Sequence, residues 1–469
     1  MKRYFHAASI ALLLLSSSSQ AVSQPRLDLT EHAVDQPQPY AMVQHPRWSR
    51  DAVLYEINLR QFTHEGSLRA AQAELPRLQK MGVGIIWLMP IHPIGEKNRL
   101  GALGSPYSVR DYLAVNPEFG SLADLKAFVT TAHRLGMYVI LDWVANHSSW
   151  DNTLTLTHPD WYEHDEQGEF RPPAWTSWTD VIAFDYARPG LRRYMTEALK
   201  YWVREADVDG FRADYAGGVP LQFWENARTE LEQIKPVFML AEWDYPELHR
   251  RAFDASYAWK LVQAMRDVAQ GRANTAALAG YWNVEADAWP HEAYRLAYTS
   301  NHDSSAWEGS DRDIYGPALT AMTALTFAAD TMPLIYNGQE AEYPKRLNFL
   351  TRDAIAWRDA PAAKLYSRLI AWKKANPATF NGQYGGAMVE VKTSAPGKIF
   401  AFVRQREKNK ILALFNFTAQ PQRVTLQSPI AHGRYDNFDG GQPIEVNDGT
   451  QLEFPPWSFK LFATGTSTP

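Results

Sequence analysis

Between about residues 51 and 380 the sequence repeats one pattern: a short apolar, β-branched or aromatic run, a loop, then a helix-length amphipathic stretch. The runs at 53–59, 84–89, 138–141, 210–213, 237–240, 295–298 and 333–336 read as strands. The stretches 68–81, 122–135 and 191–205 read as helices, the first despite Pro76 and the second with Ser121 as its N-cap. Strands alternating with helices make βαβ units and a parallel sheet. About eight such units predict an α/β fold of the (β/α)8 TIM-barrel type rather than an open doubly wound sheet. No G-x-G-x-x-G follows the first strand, which argues against a dinucleotide fold.

The longest interruption, 148–185, lies between the third and fourth strands and carries Trp150, Trp161, Tyr162, Trp175 and Trp178. It predicts a short inserted subdomain over one face of a barrel spanning 51–380. Beyond 380 the pattern changes to period-two segments at 399–403, 411–417, 423–426, 451–454 and 458–462. Turn pairs such as Pro396-Gly397 and Asp448-Gly449 separate them. This predicts a C-terminal antiparallel β-sandwich domain, 381–469.

The flanks and composition narrow the function. Lys2 and Arg3 precede an apolar run and then small residues near 21–23, the pattern of a secretory signal peptide over 1–23. Residues 24–50 are polar and Pro-dotted, a lead-in without a core of its own. No segment approaches the roughly 20 apolar residues of a membrane span, so the expected protein is exported, secreted or periplasmic, without membrane insertion and monomeric. There are 47 Lys and Arg against 52 Asp and Glu, a net charge of −5, which speaks against a nucleic-acid partner. With no cysteine, thiol nucleophiles, disulfides and Cys-ligated metals are excluded. Aromatic residues are 13% of the chain, compatible with stacking on sugar rings or simply with a large core.

In a barrel of this kind the active site forms at the C-terminal ends of the strands. Four strand ends carry notable sets: VILDWVANH with Asp142, Asn146 and His147; DGFRADY with Arg212 and Asp214; MLAEWD with Glu242 and Trp243; YTSNHD with Asn301, His302 and Asp303. Asp214 and Glu242 are 28 residues apart, and Glu242 and Asp303 61. Intervals of one and two βα units return the chain to the same rim, so three carboxylates can converge.

DWVANH, GFRAD, AEW and SNHD, in that order, resemble the four signature regions of the α-amylase family of retaining α-glycoside hydrolases. The segments SPYSVRDYLAVNPEFG, TMPLIYNGQE and FPPWSFKLF extend the resemblance over nearly all of 51–462. It implies Asp214 as nucleophile, Glu242 as general acid/base and Asp303 as the third, transition-state-stabilising carboxylate. It also implies sugar contacts by His147, His302 and the stacking platform Tyr107, with Arg212 beside the nucleophile and Asp142 holding the site together. Retaining hydrolysis needs one carboxylate ionised and another protonated, and needs no cofactor. The implied function is hydrolysis of α-1,4-glucosidic bonds in starch or maltooligosaccharides. The alternatives are an exo-acting α-glucosidase or glucosyltransferase of the same family, and a non-catalytic glucan-binding barrel.

The pattern departs from the family at Gly217 and Gly218, where classical α-amylases often carry Lys-His. The Lys binds sugar on the leaving-group side and the His carbonyl helps hold a structural calcium, so both features are in question. Asn146 matches a calcium ligand of the family, and Asp151, Asp160, Asp165 and Asp180 lie in the insertion, but no D-x-D-x-D-G loop is present. The reading of Asn146 stays open between a structural-calcium ligand and a turn cap. The short lead-in leaves no room for the N-terminal β-sandwich of cyclodextrin- and branch-processing relatives, an expectation against those specificities.

Overall fold

The computed structural model describes residues 42–174, 176–285 and 288–465. The expected signal peptide, most of the lead-in and Trp175 lie outside the described residues. Ten strands belong to the first part of the chain: β1 (Leu54–Ile57), β2 (Ile85–Leu88), β3 (Tyr138–Val144), β4 (His147–Ser149), β5 (Val181–Ala183), β6 (Gly210–Asp214), β7 (Phe238–Ala241), β8 (Ala255–Tyr257), β9 (Tyr294–Ala297) and β10 (Met332–Tyr336). All but β4 and β5 close into a parallel barrel in the order β1-β10-β9-β8-β7-β6-β3-β2. The TIM barrel expected from the βα rhythm is therefore the fold observed.

Side chains alternate along each strand, and the two faces go to different cores. Leu54, Ile85, Ile140, Phe238, Leu240, Ala255, Leu296, Met332 and Leu334 fill the barrel interior. Their strand neighbours, such as Tyr55, Ile86, Val139, Leu141 and Phe211, pack outward in the layer shared with the helices. Two residues further on, the inward series changes character. Leu54 is followed by Glu56, Ile85 by Trp87, Ile140 by Asp142, and Leu240 by Glu242. The apolar lower layers carry a polar layer at the C-terminal mouth.

The opposite mouth is closed by the end of the lead-in. Trp48 stacks on Tyr138 with ring centroids 4.0 Å apart, and His45 is buried against Tyr294 and bonded to Asp254 at 2.7 Å. Val43, His45 and Ser49 of this lead-in are buried against the barrel end. The helix expected over 68–81 is two: Leu68–Ala73, capped by Ser67, and Leu75–Met81, with Pro76 in its first turn. Proline lacks the N–H that a continuous helix needs, and a first turn tolerates that loss.

The insertion after β3 is anchored by β4 and β5, which pair antiparallel in the register His147↔Ala183 and Ser149↔Val181. The C-terminal part forms a six-stranded antiparallel sheet and a two-stranded one, Gln422–Thr425 with Gln451–Phe454. Ile399–Arg406 and Asn409–Asn416 are the central hairpin, and Ser458–Ala463 pairs with the latter. Among the described residues no helix is long and apolar enough to cross a membrane.

Candidate active site

Arg212 stands in the polar layer of β6, fully buried. Its Nη1 donates to Asp142 Oδ1 at 2.9 Å and to Asp214 Oδ1 at 2.8 Å. Its Nη2 lies 2.8 Å from Glu242 Oε1, an ion-pair contact out of line for a hydrogen bond. The β-strand period explains the arrangement. Arg212 and Asp214 share one face of β6, while Asp142 and Glu242 come from the flanking strand β3 and from the residue after β7. One planar fork thereby reaches three carboxylates.

Above this floor lies a cavity of about 260 Å³. Asp214, Glu242 and Asp303 all line it, as do Tyr107, His147 and His302. Arg212 and Asp142 do not: both are completely buried beneath it. They sit one layer below the cavity and act on the carboxylates above them. Asp142 is held by Trp87 Nε1 at 3.1 Å and Tyr107 Oη at 3.2 Å, besides Arg212. Asn301 proves to be a helix cap. It accepts from Ser304 N at 2.9 Å in a reciprocal capping box, which fixes His302 and Asp303 in the first turn of the helix His302–Trp307.

The carboxyls differ in proton affinity. Glu242 is pushed up to about 8, chiefly by burial and also by Asp214 and Asp303, against the pull of Arg212. Asp142 is raised to about 7, again by burial first, with Arg212 opposing. For His302 burial favours the neutral ring, but Asp303 and Glu56 outweigh it and carry the group to about 9. His147 is pulled down by burial, with Asp214 opposing.

The backbone after the nucleophile position is unusual. Tyr215 has φ 44, and its N–H donates to Glu242 Oε2 at 2.8 Å. A left-handed conformation is uncommon for an aromatic residue and is found where surroundings enforce it. Gly217 follows because a Cβ there would stand 2.1 Å from the Trp243 ring, and one on Gly218 would stand 2.5 Å from Asn146 Oδ1. The Lys-His pair of classical relatives cannot occupy these positions with Trp243, Tyr215 and Asn146 where they are. Trp178, Tyr215, Trp243 and Trp259 form the wall there, with Tyr215 edge-on to Trp243 at 5.1 Å.

Calcium does not fit the donors present. The ion takes six to eight oxygens, usually with several carboxylates. Among the described residues no three His, Cys, Asp or Glu side chains gather to hold a metal. Asp165 closes its own turn through Gln167 N and Glu169 N, and Asp151 Oδ2 accepts from Glu96 N. The Asn146 side-chain Nδ2 lies 3.3 Å from His147 Nδ1, and the Asn146 backbone carbonyl accepts from Phe184 N, so the residue orients the histidine and ties the insertion down.

Some lining residues were not singled out from the sequence for this role: Trp259, Trp307 and Phe349 at the cavity, and Glu56 beneath it. Glu56 carried a usable signal, an acid two residues after Leu54 within an apolar run. Trp259 and Trp307 are 37% and 57% exposed, and exposed tryptophans beside a carboxylate pair suit stacking on a sugar.

The family model described as alpha amylase, catalytic domain, matches residues 47–280, and that described as maltogenic amylase, C-terminal domain, matches 389–461. An α-amylase structure from Lactobacillus plantarum is 30% identical, covering 89% of this chain and all of that one, with a TM-score of 0.79. A noncanonic maltogenic α-amylase, AmyB from Thermotoga neapolitana, is 28% identical over 88% of this chain and 98% of its own, with a TM-score of 0.80. Alpha-amylase MalA of Haloarcula japonica is 27% identical over 440 residues, 87% of this chain, and the match spans 62% of that protein's length.

Proposed function

The chain belongs to the α-amylase family of glycoside hydrolases, and from that premise we propose that it cleaves α-1,4-glucosidic bonds of starch or maltooligosaccharides by double displacement. The observation that carries this reading is the contact of Asp214 and Glu242 with one guanidinium, in a cavity that Asp303 also lines. Two carboxyls bridged in this way favour the retaining spacing of about 5–5.5 Å over the wider inverting one.

In the first step protonated Glu242 gives its proton to the glycosidic oxygen as Asp214 attacks the anomeric carbon. The bond to the leaving chain breaks and a glycosyl ester on Asp214 forms. In the second, Glu242 takes a proton from water, whose oxygen attacks the same carbon and releases Asp214. Arg212 supports the ionised nucleophile. Asp303, 44% exposed beside His302, accepts hydrogen bonds from sugar hydroxyls as the ring flattens. Tyr107 is the stacking face, and His147 and His302 bind hydroxyls. The chemistry asks for no cofactor.

A second reading, exo-acting release of short products or transfer to another sugar, draws support from the maltogenic character of the C-terminal match. Chromatography of maltoheptaose digests tests both. Mixed lengths support internal cleavage, glucose or maltose alone an exo mode, and longer products transfer. No cleavage of maltoheptaose, soluble starch or pullulan overturns the proposal. We further propose that the enzyme is exported through residues 1–23 and acts as a monomer, which N-terminal sequencing of the mature protein and sedimentation test.

A further inference from the structure

Beneath the pocket floor lies an acid that the double displacement does not use. Glu56, at the inward position of β1, is fully buried, and its Oε1 is 2.5 Å from His302 Nδ1. Its Oε2 has no hydrogen-bond partner among the described residues. The other ring nitrogen, Nε2, lies 2.8 Å from Tyr107 Oη and 3.3 Å from Asp303 Oδ2. With its one proton on the Asp142 Oδ2 side, 3.2 Å away, the Tyr107 oxygen accepts from His302, and the Asp303 carboxylate can only accept. Both ring nitrogens thus face acceptors, the geometry of an imidazolium.

We propose that Glu56 is a positioning residue of the reaction: from below the floor its carboxylate accepts from His302 Nδ1–H while its charge retains the second ring proton, so that Nε2–H stays a donor on the sugar-pocket side. The proposal rests on the reading of His302 as a sugar-binding residue. A glutamine of the same shape could accept the Nδ1–H without burying a charge, which is costly unless compensated. What only a carboxylate adds is the charge that retains the second proton on the ring.

The groups around the pair act in the same sense on balance. His302 is faced by Glu56 from β1, Tyr107 from the loop after β2, Asp142 from β3, Arg212 from β6 and Asp303 from its own helix. Glu56 is faced by His302, Arg212, Asp303, Tyr257 and Tyr336. Burial raises Glu56, His302 and Arg212 pull it back, and His302 is carried to about 9. The ring then stays a double donor across neutral pH, whereas an unpaired histidine would lose its proton near 6.5.

The test is a pH titration of the 15N-labelled imidazole of His302 in the full-length protein, its resonance assigned by loss in His302→Gln. The expected midpoint in the wild type is above about 8, falling by roughly two units in Glu56→Gln. In parallel, kcat/KM of Glu56→Gln on maltoheptaose should be at least about tenfold low near pH 7.5 and recover toward wild type near pH 5.5. In a His302→Gln background the same change should cost less than about twofold. A wild-type midpoint below 7, a midpoint unmoved by Glu56→Gln, or losses that multiply in the double variant would overturn the proposal. Should Glu56→Gln fail to fold, the same titration on Glu56→Asp, whose shorter side chain withdraws the charge from Nδ1, takes its place: a lowered midpoint supports the proposal and an unmoved one overturns it. The titration needs no turnover, so its outcome is independent of which glucan the enzyme cleaves.

Discussion

The backbone N–H of Tyr215 donates to Glu242 Oε2 at 2.8 Å, tying the acid/base position to the residue that directly follows Asp214. Oε2 thereby accepts from the backbone, while Oε1 faces Arg212 Nη2 at 2.8 Å. The left-handed turn at Tyr215 aims this N–H, and Gly217 and Gly218 leave room for the turn beside Trp243 and Asn146. A hydrogen bond to the carboxylate would lower its proton affinity, yet burial and two nearby acids dominate and hold it high.

The pH profile follows from that balance. Glu242 must be protonated to act as the acid, and it loses its proton near 8, so kcat/KM for maltoheptaose should decline as pH rises through about 8. A profile already falling through pH 5–6 on its alkaline side would contradict the assignment.

Glu242→Gln should lower kcat by about 10²–10⁴-fold while leaving maltooligosaccharide binding within a few-fold. The same variant should be the more stable protein at neutral pH. A carboxyl raised from its ordinary 4.5 to about 8 on folding favours the folded state fully only below 4.5, and that advantage is lost as pH rises toward 8. The gain in unfolding free energy over wild type should therefore grow between pH 5 and 8, reaching on the order of 1–3 kcal/mol. Thermal melts at a series of pH values measure it.

Gly217→Ala adds a Cβ 2.1 Å from the Trp243 ring, which must move, and Trp243 adjoins Glu242. Displacing a catalytic group by a fraction of an ångström is expensive, so kcat/KM should drop by about tenfold or more with the fold intact by circular dichroism. Steady-state kinetics on maltoheptaose gives the answer.

Chelation should leave the enzyme as it was. With no gathering of carboxylates around Asn146, EDTA should shift neither starch hydrolysis nor the melting temperature by more than about 2 °C. A melting temperature that falls on chelation and returns with added calcium would contradict this.

What the sequence made legible follows from periodicity. Long amphipathic helices such as 122–134 and strands with a clean inward series can be read directly, and the βα spacing brings Asp214, Glu242 and Asp303 to one rim. β8 escaped notice because Ala255–Tyr257 is three residues of weak strand character, paired only through its neighbours β7 and β9. The plug formed by Trp48 and His45 was hidden because its partners, Tyr138, Asp254 and Tyr294, are far away in the chain. Motif matching names Arg212 and Asp142 as part of the site, but not that they form a layer beneath the cavity rather than its lining. The reason for Gly217 lies in a ring 26 positions later, which no local pattern announces.

The account stands or falls on Asp214 as the atom donor to the anomeric carbon, with Glu242 opposite. The direct measurement is trapping: incubate Glu242→Gln with α-maltosyl fluoride, whose fluoride departs without an acid, and map the modified peptide by mass spectrometry. The account predicts a maltosyl adduct on Asp214, released by azide as a maltosyl azide of retained overall configuration. An adduct on Asp303 or elsewhere, or turnover that inverts the anomeric centre with no adduct, would contradict it.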